Sequence, residues 1–341
     1  MIRVWMYPKK SPENKYNELL STSLEREKIE VLDFNWANLF KLKRNDIIHF
    51  HWIQGIYQSN FKFLMVIKLT IMLFILLYLK FKNVRLVWTV HNLYPHEYKF
   101  KFLEKVSRKL FMSFCNKLIV ASESLKNKVI DEFKIKEDKI LVIPHGHYRD
   151  AYKSIGKDFR GIYGIPKSSF VFLFLGQIRP YKGVINLIET FQELYNSQKD
   201  VYLVVAGKPS EDMRRAIKNL NINNKNIILD LRFIPDEEIV DLLSCADVLV
   251  LPYEEITTSG SAILGISFYK VVVSPATPFL KEYLDEKTSV LYDSSKEGLK
   301  AALLKAQNLK YDIRNFEKIL SNLEWKDIAK KTIACYKNIQ N

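Results

Sequence analysis

Apolar runs of strand length alternate with amphipathic helical patterns along this whole chain. Runs that are apolar throughout belong to strands buried on both faces, and strands separated by helices are typical of parallel, doubly wound sheets. The alternation therefore predicts an α/β chain with two Rossmann-like halves. Its runs are IRVWMY, EVLDF, DIIHFHW, VRLVWTV, KLIVAS and ILVIP, followed by FVFLFLG, VYLVVAG, NIILDL, ADVLVLPY and VVVSP.

The length of 341 residues exceeds the size at which a single hydrophobic core usually stops growing, so two domains are expected. We place the N-terminal domain at 1–147 and the C-terminal domain at 148–322, with the boundary inside VIPHGHYRDAYKSIG. Residues 323–341 form a helical pattern with no strand after it. A ligand is expected in a cleft between the two sheets, at the carboxyl ends of their strands.

Basic residues are concentrated in the first half of the chain. Residues 1–150 carry 26 Lys and Arg against 15 Asp and Glu, whereas the remainder carries 26 against 23. The N-terminal domain is therefore expected to face an anionic surface. The three cysteines have neither disulfide-framework nor zinc spacing, and the chain starts without a signal-peptide pattern, so a cytoplasmic location is expected.

The most apolar stretch, FKFLMVIKLTIMLFILLYLKFK at 61–82, raises the question of membrane contact. Lys68 interrupts it, and the uninterrupted part at 69–79 is shorter than the roughly 20 residues that span a bilayer. Two alternatives stay open, a core helix of an α/β domain or a helix lying in the lipid interface. The next helical pattern, 99–117, favours the interface because it combines an apolar stripe of Phe100, Leu103, Val106, Leu110 and Phe114 with a basic edge of Lys101, Lys105, Arg108 and Lys109.

Two strand ends in the second half carry groups suited to a diphosphate. Arg179 and Lys182 follow FVFLFLG where a helix is about to begin; Arg offers a planar fork and Lys a point charge. After ADVLVLPY, a second helix start has free amide groups and a favourable macrodipole for an anion. The ligand-free alternatives are a basic surface loop and an ordinary helix cap. The second helix start consists of Thr258, Ser259, Gly260 and Ser261.

These motifs, in this order, resemble the two-domain GT-B glycosyltransferases, in particular the bacterial group near family 4 that builds surface polysaccharides and glycolipids. The matching segments cover nearly the whole chain and are VIPHG, LFLGQIRPYKGV, VVAGKP, SCADVLVLPY and EWKDIAKKTIACY. The resemblance implies the GT-B fold, in which two Rossmann-like domains with parallel sheets face a central cleft. It also implies that the last helix returns to the N-terminal domain.

The resemblance further implies a donor site in the C-terminal domain. Arg179 and Lys182, in the loop that begins at Gly176, would hold the donor diphosphate, and the 258–261 segment would cover the phosphates and the donor sugar. The RFIP turn, with Arg232 and Phe233, would lie against the nucleotide base.

Two departures from the family pattern affect this site. The usual pair of glutamates is missing, because Ile256 and Leu264 occupy the positions counted from Pro252; Glu254 or Glu255 is the substitute for the first. The glycine-rich loop after the first strand is replaced by PKKSPENKYN. Neither the donor nucleotide nor a retaining mechanism therefore follows from the resemblance.

The segment WTVHNLYPHE follows an N-domain strand, and Pro95 keeps it extended, so a loop presents His91, His96 and Glu97. Sugar transfer with inversion requires a base that takes the acceptor hydroxyl proton. We predict Glu97 as this base, with its pKa tuned toward neutral, and His91 as the other candidate. In a retaining enzyme His91 would contact the donor sugar, and in a non-catalytic alternative His91 and Asn92 cap the loop.

The HFHW segment adds two histidines at another strand end. Strand alternation sends His49 and His51 to the same face, and with His96 and Asn92 they are predicted to line the acceptor side. Two histidines without an acidic third ligand do not indicate a metal site, and no DxD-type pair stands where a metal would bridge phosphates. We therefore expect metal independence, with no cofactor besides the nucleotide-sugar substrate.

The sequence thus predicts a metal-independent, inverting hexosyltransferase that uses a UDP- or GDP-sugar and a lipid-linked or glycan acceptor. Its expected role is cell-surface polysaccharide biosynthesis at the inner, anionic face of the cell membrane. Two other classes stay open, a nucleotide-sugar epimerase on the same fold and a non-enzymatic membrane or nucleic-acid binding protein. Against nucleic acid, the basic residues are not interleaved with aromatic residues in any recognisable module. No pattern specifies an oligomeric state.

Overall fold

A computed structural model of the chain describes residues 2–11, 14–95, 98–254 and 257–340. The chain divides into a first unit, Met1–Gly146 with Leu323–Asn341, and a second unit, His147–Asn322. The division lies one residue before the boundary expected from the sequence, and the C-terminal helix belongs to the first unit.

The first unit is built on a six-stranded, all-parallel sheet. Its strands, β1 to β6, are Arg3–Tyr7, Glu30–Asp33, Ile47–Phe50, Arg85–Thr89, Lys117–Val120 and Ile140–Val142, in the order β2-β1-β3-β4-β5-β6. Its helices, α1 to α5, are Tyr16–Arg26, Gln54–Tyr57, Lys62–Phe81, Lys101–Phe114 and Glu123–Phe133. The C-terminal helix, numbered α14, is Trp325–Gln340.

Side-chain alternation along β3 explains why this sheet is covered on both faces. All four residues of β3 are buried; Ile48 and Phe50 join the core cluster on one face, and Ile47 joins the cluster on the other. His49 alternates with Ile48 and therefore shares the face of Ile47, which α1 and α14 cover. A polar ring is thus placed inside a hydrophobic layer.

The start of α14 is fixed by a close contact with the end of the N-terminal segment. Trp325 is buried, and a Cβ atom added at Gly146 would lie 2.4 Å from its indole ring. Only glycine leaves room for this indole, so the contact anchors the helix to the first unit.

The second unit contains another six-stranded, all-parallel sheet. Strands β7 to β12 are Phe170–Leu175, Val201–Ala206, Ile227–Asp230, Val248–Val250, Val271–Pro275 and Ser289–Tyr292, in the order β12-β11-β10-β7-β8-β9. The sequence did not predict β12. Helices α6 to α13 are Phe159–Ile162, Val184–Tyr195, Glu211–Lys218, Ile239–Cys245, Gly260–Ser267, Pro278–Tyr283, Lys296–Gln307 and Ile313–Leu320.

Both sheets have a point at which the order of strands reverses. In the first unit it lies between β1 and β3, and in the second between β7 and β10. Ligands of doubly wound sheets bind in the crevice that such a reversal leaves at the carboxyl ends of the strands. The segments that follow β3, β7 and β10 are therefore the first places to look for a site.

Helix α3 buries a single stripe and exposes the rest of its apolar surface. It runs without a break through Lys68 and is long and apolar enough to cross a membrane by length and composition alone. Met65, Met72, Leu76 and Leu79 are buried, but only 22% of its most apolar window is buried. The expectation of an ordinary core helix therefore holds for one face only.

Candidate functional site

Four histidines and two tyrosines of the first unit collect where β3 and β4 end. His49 has no solvent exposure; its Nδ1 lies 2.6 Å from the Tyr336 hydroxyl and its Nε2 lies 2.7 Å from Oγ1 of Thr89. Both ring nitrogens are therefore used inside the protein. This corrects the prediction that His49 lines the acceptor side, because its ring instead links α14 to the end of β4.

His51 lies on the same face as His49, as strand alternation predicted. The two rings stack at 4.5 Å, and Nδ1 of His51 lies 3.2 Å from Nε2 of His91. Only 2% of His51 is exposed, so it contacts His91 rather than bulk solvent, and the prediction of a direct acceptor contact is corrected for this residue too. Its Nε2 is buried with no hydrogen-bond partner among the described residues.

His91 is the histidine of this cluster that is partly exposed. Its ring stacks on Trp52 at 4.5 Å and meets the edge of Tyr16 at 5.1 Å, while His51 occupies its Nε2 side. Three contacts fix the plane of the imidazole. The predicted candidate is thus held in one orientation at the end of β4.

Sequence reasoning missed part of this cluster. His145, from the VIPHG segment, packs on Tyr16 at 4.6 Å, and its Nδ1 lies 2.8 Å from the Gly146 carbonyl oxygen. Tyr16 also meets Trp325 at 5.4 Å. The VIPHG motif was the available signal, but it marked only a domain boundary in the sequence.

Burial keeps these imidazoles neutral. It lowers the pKa of His49 and His91 to about 3 and that of His145 to about 4. It also lowers the pKa of His51 far below its usual range, and neighbouring histidines add to the effect. At neutral pH the cluster therefore offers hydrogen bonds rather than positive charge.

The loop that carries Asn92 is held from below by a buried ion pair on α4. Nε of Arg108 donates to Oε1 of Glu104 at 2.8 Å, and a second guanidinium nitrogen donates to the Asn92 carbonyl oxygen at 3.1 Å. The Tyr57 hydroxyl also donates to this carboxylate, at 2.5 Å. Both charged residues are buried, so the placement of Arg108 on an exposed basic edge was wrong.

The buried face of α4 also differs from the predicted stripe. Leu103, Leu110 and Phe114 are only partly buried against the core. The fully buried face begins with the polar Glu104 because Tyr57 and Arg108 satisfy its carboxylate. That face consists of Glu104, Ser107, Arg108, Phe111 and Met112.

Three predicted site residues, His96, Glu97 and Glu255, lie outside the described residues. Contact between the Asn92 side chain and the acceptor substrate remains a prediction.

In the second unit, the segments after β7 and β10 meet at the reversal of the strand order. Gly183 has a φ of 65°, and a Cβ atom there would lie 2.0 Å from the Pro252 carbonyl oxygen. The Glu254 amide donates to the Tyr181 carbonyl oxygen at 2.9 Å. The sequence therefore needs glycine at 183, because any side chain would separate the two segments.

Lys182 and Arg179 lie together in the first of these segments, as predicted. The Lys182 ammonium lies over the Tyr253 ring, 5.2 Å from its centroid, and a Cβ atom at Gly176 would be 3.4 Å away from it. Burial lowers the pKa of Lys182, and the charge of Arg179 lowers it further. Among the described residues, neither cation has a carboxylate partner within 4.0 Å.

The predicted helix start at 258–261 is present as the beginning of α10. Oγ of Ser259 accepts from the Ala262 amide at 3.1 Å, so Ser259 caps the helix, and its predicted contact with the donor stays a prediction. The amides of Gly260 and Ser261 have no acceptor within the helix. Helix α7 begins at Val184 without any side-chain cap, which leaves its first amides uncapped beside Lys182.

In the RFIP turn, salt bridges hold the first residue, Arg232, whereas the second, Phe233, is exposed. Arg232 pairs with Asp230 at 2.9 Å and with Glu238 at 2.5 Å. Phe233 follows with 63% of its surface exposed. The turn therefore presents a flat aromatic ring on a fixed backbone, which suits stacking against a base.

No group of three or more His, Cys, Asp or Glu residues within 2–11, 14–95, 98–254 and 257–340 has metal-site geometry.

The enclosed histidines predict a loss of stability of the first unit in mild acid. An unfolded histidine has a pKa of about 6.5, whereas His49, His51 and His145 have lower folded values. As the pH falls below about 6.5, the unfolded chain takes up protons that the folded chain excludes. Each histidine then lowers the free energy of unfolding by up to about 1.4 kcal/mol per pH unit.

This slope can be measured by urea unfolding between about pH 7.5 and about pH 5, above the range in which free carboxylates titrate. All five tryptophans lie in the first unit, so tryptophan fluorescence reports its unfolding. His49→Gln should reduce the slope of the free energy of unfolding against pH by the contribution of about one proton. A free energy of unfolding that stays constant across this range would show that the histidines are not enclosed.

Two family models match successive parts of the chain. The model described as Glycosyltransferase Family 4 matches residues 31–148, and the model described as Glycosyl transferases group 1 matches residues 157–319. The first match falls in the unit with the histidine cluster, and the second falls in the unit with Arg179 and Lys182.

Characterised proteins with similar sequences are glycosyltransferases. A GDP-mannose:glycolipid 4-beta-D-mannosyltransferase of Xanthomonas campestris is 24% identical over 69% of this chain and 62% of its own length. The phosphatidylinositol N-acetylglucosaminyltransferase GPI3 subunit of Saccharomyces cerevisiae is 24% identical over 76% of this chain and 59% of its own length. The chain thus spans less than two thirds of these relatives.

Solved structures share the fold over the full length. A sucrose-phosphate synthase from Thermosynechococcus elongatus matches with a TM-score of 0.74 and 14% identity, covering 99% of both chains. HepE of Anabaena, solved with UDP and glucose, matches with a TM-score of 0.71 and 14% identity, covering 99% of this chain and 100% of its own. With its two parallel Rossmann-like sheets and two matching family models, the chain belongs to the GT-B glycosyltransferases of group 1 and family 4.

Proposed function

We propose that this protein transfers a hexose from a UDP- or GDP-sugar to a lipid-linked or glycan acceptor, without a metal ion and with inversion. The observation that carries the donor half is the pair Arg179 and Lys182 at the strand reversal of the second unit. Two neighbouring cations without a described carboxylate partner repel one another, and a diphosphate would relieve that repulsion. The named relatives, which act on glycolipids and phosphatidylinositol, support a lipid-linked acceptor.

The same pocket chemistry stabilises the departing diphosphate. Charge develops on the leaving nucleotide as the glycosidic bond breaks, and fixed cations and amides stabilise it most effectively. Lys182 and Arg179 supply the cations, and the amides at the starts of α7 and α10 supply further donors. Phe233 would stack on the base, with Arg232 fixing the turn.

Glu97 remains the proposed base that accepts the acceptor proton. His91 is the weaker candidate because burial lowers its pKa to about 3, which makes the imidazole a poor proton acceptor at neutral pH. Its neutral ring, oriented by His51 and Trp52, is suited to hydrogen bonding with a sugar hydroxyl instead.

Helix α3 is the proposed membrane contact, at the inner face of the cell membrane. Phe63, Ile71 and Phe74 are 74%, 52% and 66% exposed, and Phe61 and Phe81 at its ends are 68% and 92% exposed. Lysines at both ends of the helix, and on α4, would pair with anionic lipid head groups. An apolar face rimmed by lysines is the pattern of a helix that lies in a lipid interface.

Replacing the cations should weaken donor binding. Arg179→Ala and Lys182→Ala should each lose about 1.5–3 kcal/mol of a charge-assisted interaction, or roughly 10- to 100-fold in the Kd for UDP or GDP. Isothermal titration would measure this, after a thermal-shift screen of both nucleotides and their sugars. Lys167→Ala, exposed just before the amino end of β7, is the matched control and should bind normally. If no nucleotide or nucleotide sugar stabilises the folded protein, the donor proposal fails.

Removing the base should slow turnover without affecting donor affinity. Glu97→Gln should lower kcat by about 10²- to 10⁴-fold, the range of general base catalysis, and His91→Asn should lower it less. NMR of the anomeric proton should show a product inverted relative to the donor. Full turnover by Glu97→Gln, or retention at the anomeric carbon, contradicts this mechanism. Interconversion of UDP-sugars without acceptor would identify the epimerase alternative.

Charging the exposed face of α3 should release the protein from vesicles. Each buried large apolar side chain contributes about 1.5–3 kcal/mol, so Ile71→Glu with Phe74→Glu should weaken sedimentation with phosphatidylglycerol vesicles by well over tenfold. Ile313→Glu, in the second unit, is the control because Ile313 is 53% exposed against 52% for Ile71. Equal binding by both variants, or no preference for anionic over phosphatidylcholine vesicles, would exclude α3 as the contact.

A further inference from the structure

A cavity of about 610 Å³ opens in the first unit between the starts of α3 and α4. This volume is within the range of small-molecule sites, about 300–1,000 Å³. None of the predicted site residues that the structure describes lines it. The polar and aromatic residues in its wall are Gln58, Ser59, Asn60, Tyr98, Lys99, Phe100 and Glu104.

The wall presents both hydrogen-bond donors and acceptors in fixed positions. The Gln58 amide donates to Oε2 of Glu104 at 3.2 Å, which leaves its carbonyl oxygen as an acceptor. Oγ of Ser59 accepts from the Phe61 amide at 3.2 Å, so its proton can be donated elsewhere. Asn60 is exposed at the rim and offers both functions. Ligand hydroxyl groups, which donate and accept, match this wall.

An aromatic side chain forms another part of the wall. Tyr98 stacks on Tyr94 at 5.6 Å with an interplanar angle of 22°, and the Tyr94 hydroxyl donates to Glu132 at 2.7 Å. Tyr94 therefore packs against one face of the Tyr98 ring. A rigid aromatic face beside amide and hydroxyl groups suits the apolar C–H face of a sugar ring.

The wall offers little charge to an anion. Arg108 already pairs the buried Glu104 carboxylate at 2.8 Å, and among the described lining residues Lys99 contributes one exposed ammonium. A single exposed lysine holds a phosphate more weakly than two neighbouring cations such as those of the second unit. The wall therefore fits a neutral, hydroxyl-rich ligand better than a phosphate.

The position of the cavity connects it to both functional features of the first unit. Met65 of α3 lines it, and the exposed Phe61 and Leu64 lie beside that residue in the chain. On the inner side, Arg108 joins Glu104 to the Asn92 carbonyl oxygen, next to His91. A molecule with a sugar head and an apolar tail could place its head in the cavity and its tail along α3.

We propose that this cavity binds the neutral sugar head group of the lipid-linked acceptor. The inference rests on the proposed glycosyltransferase function and assigns a site to its acceptor. Gln58, Ser59 and Asn60 bind the sugar hydroxyls, Tyr98 packs against the ring, and α3 receives the lipid chain.

The test uses octyl β-D-glucopyranoside as the probe and pentaethylene glycol octyl ether, which has the same tail without a sugar, as its comparison. Saturation-transfer NMR and titration below the micelle concentration measure both with the full chain. The glucoside should bind at least about tenfold tighter than the ether. Asn60→Trp, which blocks the rim at an exposed position, should abolish this preference.

Two controls separate the cavity from general effects. Asn338→Trp, at an exposed position of α14, should keep the preference, and Lys99→Ala should keep it within about twofold because the head group is neutral. Equal binding of glucoside and ether by the wild-type chain overturns the proposal, as does a preference that survives Asn60→Trp. A preference lost in Lys99→Ala overturns the neutral assignment.

Nucleotide titrations on the same samples separate this inference from the proposed function. Normal UDP or GDP binding together with no sugar preference overturns the cavity assignment and leaves the transferase standing. A sugar preference without any nucleotide binding leaves a sugar site but overturns its identification as an acceptor site.

Discussion

Parallel strands buried on both faces are the constraint on which the rest of this molecule depends. Such strands require apolar residues along their length, and β7 and β10 meet that requirement almost completely. Polar side chains are then confined to the segments that follow the strands. In both units candidate site residues lie there: His91 in the first, and Arg179 and Lys182 in the second. His49 is the informative exception, because Tyr336 and Thr89 must satisfy both of its nitrogens.

The charged residues near the candidate sites of the two units differ in whether they are paired. In the first, Glu104 and Arg108 pair with each other and with neighbouring polar groups, so that neither of these two buried charges is left without a partner. In the second, Arg179 and Lys182 lie in one segment with no described carboxylate partner; burial lowers the pKa of Lys182, and the charge of Arg179 lowers it further. Unpaired, partly buried cations are unfavourable unless something anionic completes them. The contrast supports a structural role for the first pair and a binding role for the second.

Much of the architecture could be predicted from sequence, because it depends on patterns within single segments. Within the described part of the chain, the eleven apolar runs correspond to β1 to β11, and β12 was missed because SVLY is short and begins with a polar residue. Residues whose role depends on local neighbours, such as Ser259 at a helix start, were also placed correctly. The polar residues buried on α4 could not be identified from periodicity alone, which does not reveal that Tyr57, 47 residues away, satisfies a buried Glu104. Tyr336 was missed for the same reason, since it is 287 residues from His49.

A buried ion pair such as Glu104–Arg108 rarely adds stability over well-packed apolar residues. An apolar pair would fill the same space, but it could not donate to the Asn92 carbonyl oxygen or accept from the Gln58 amide at the wall of the cavity between α3 and α4. Arg108 does the first and Glu104 the second. The Arg108 guanidinium also lies over the Trp88 ring, 5.5 Å from the ring centroid. The pair therefore fixes the geometry between the cavity and the His91 loop. A stable sheet alone does not require this ion pair. The proposed acceptor site does, because an acceptor bound there must be aligned with a residue of the His91 loop.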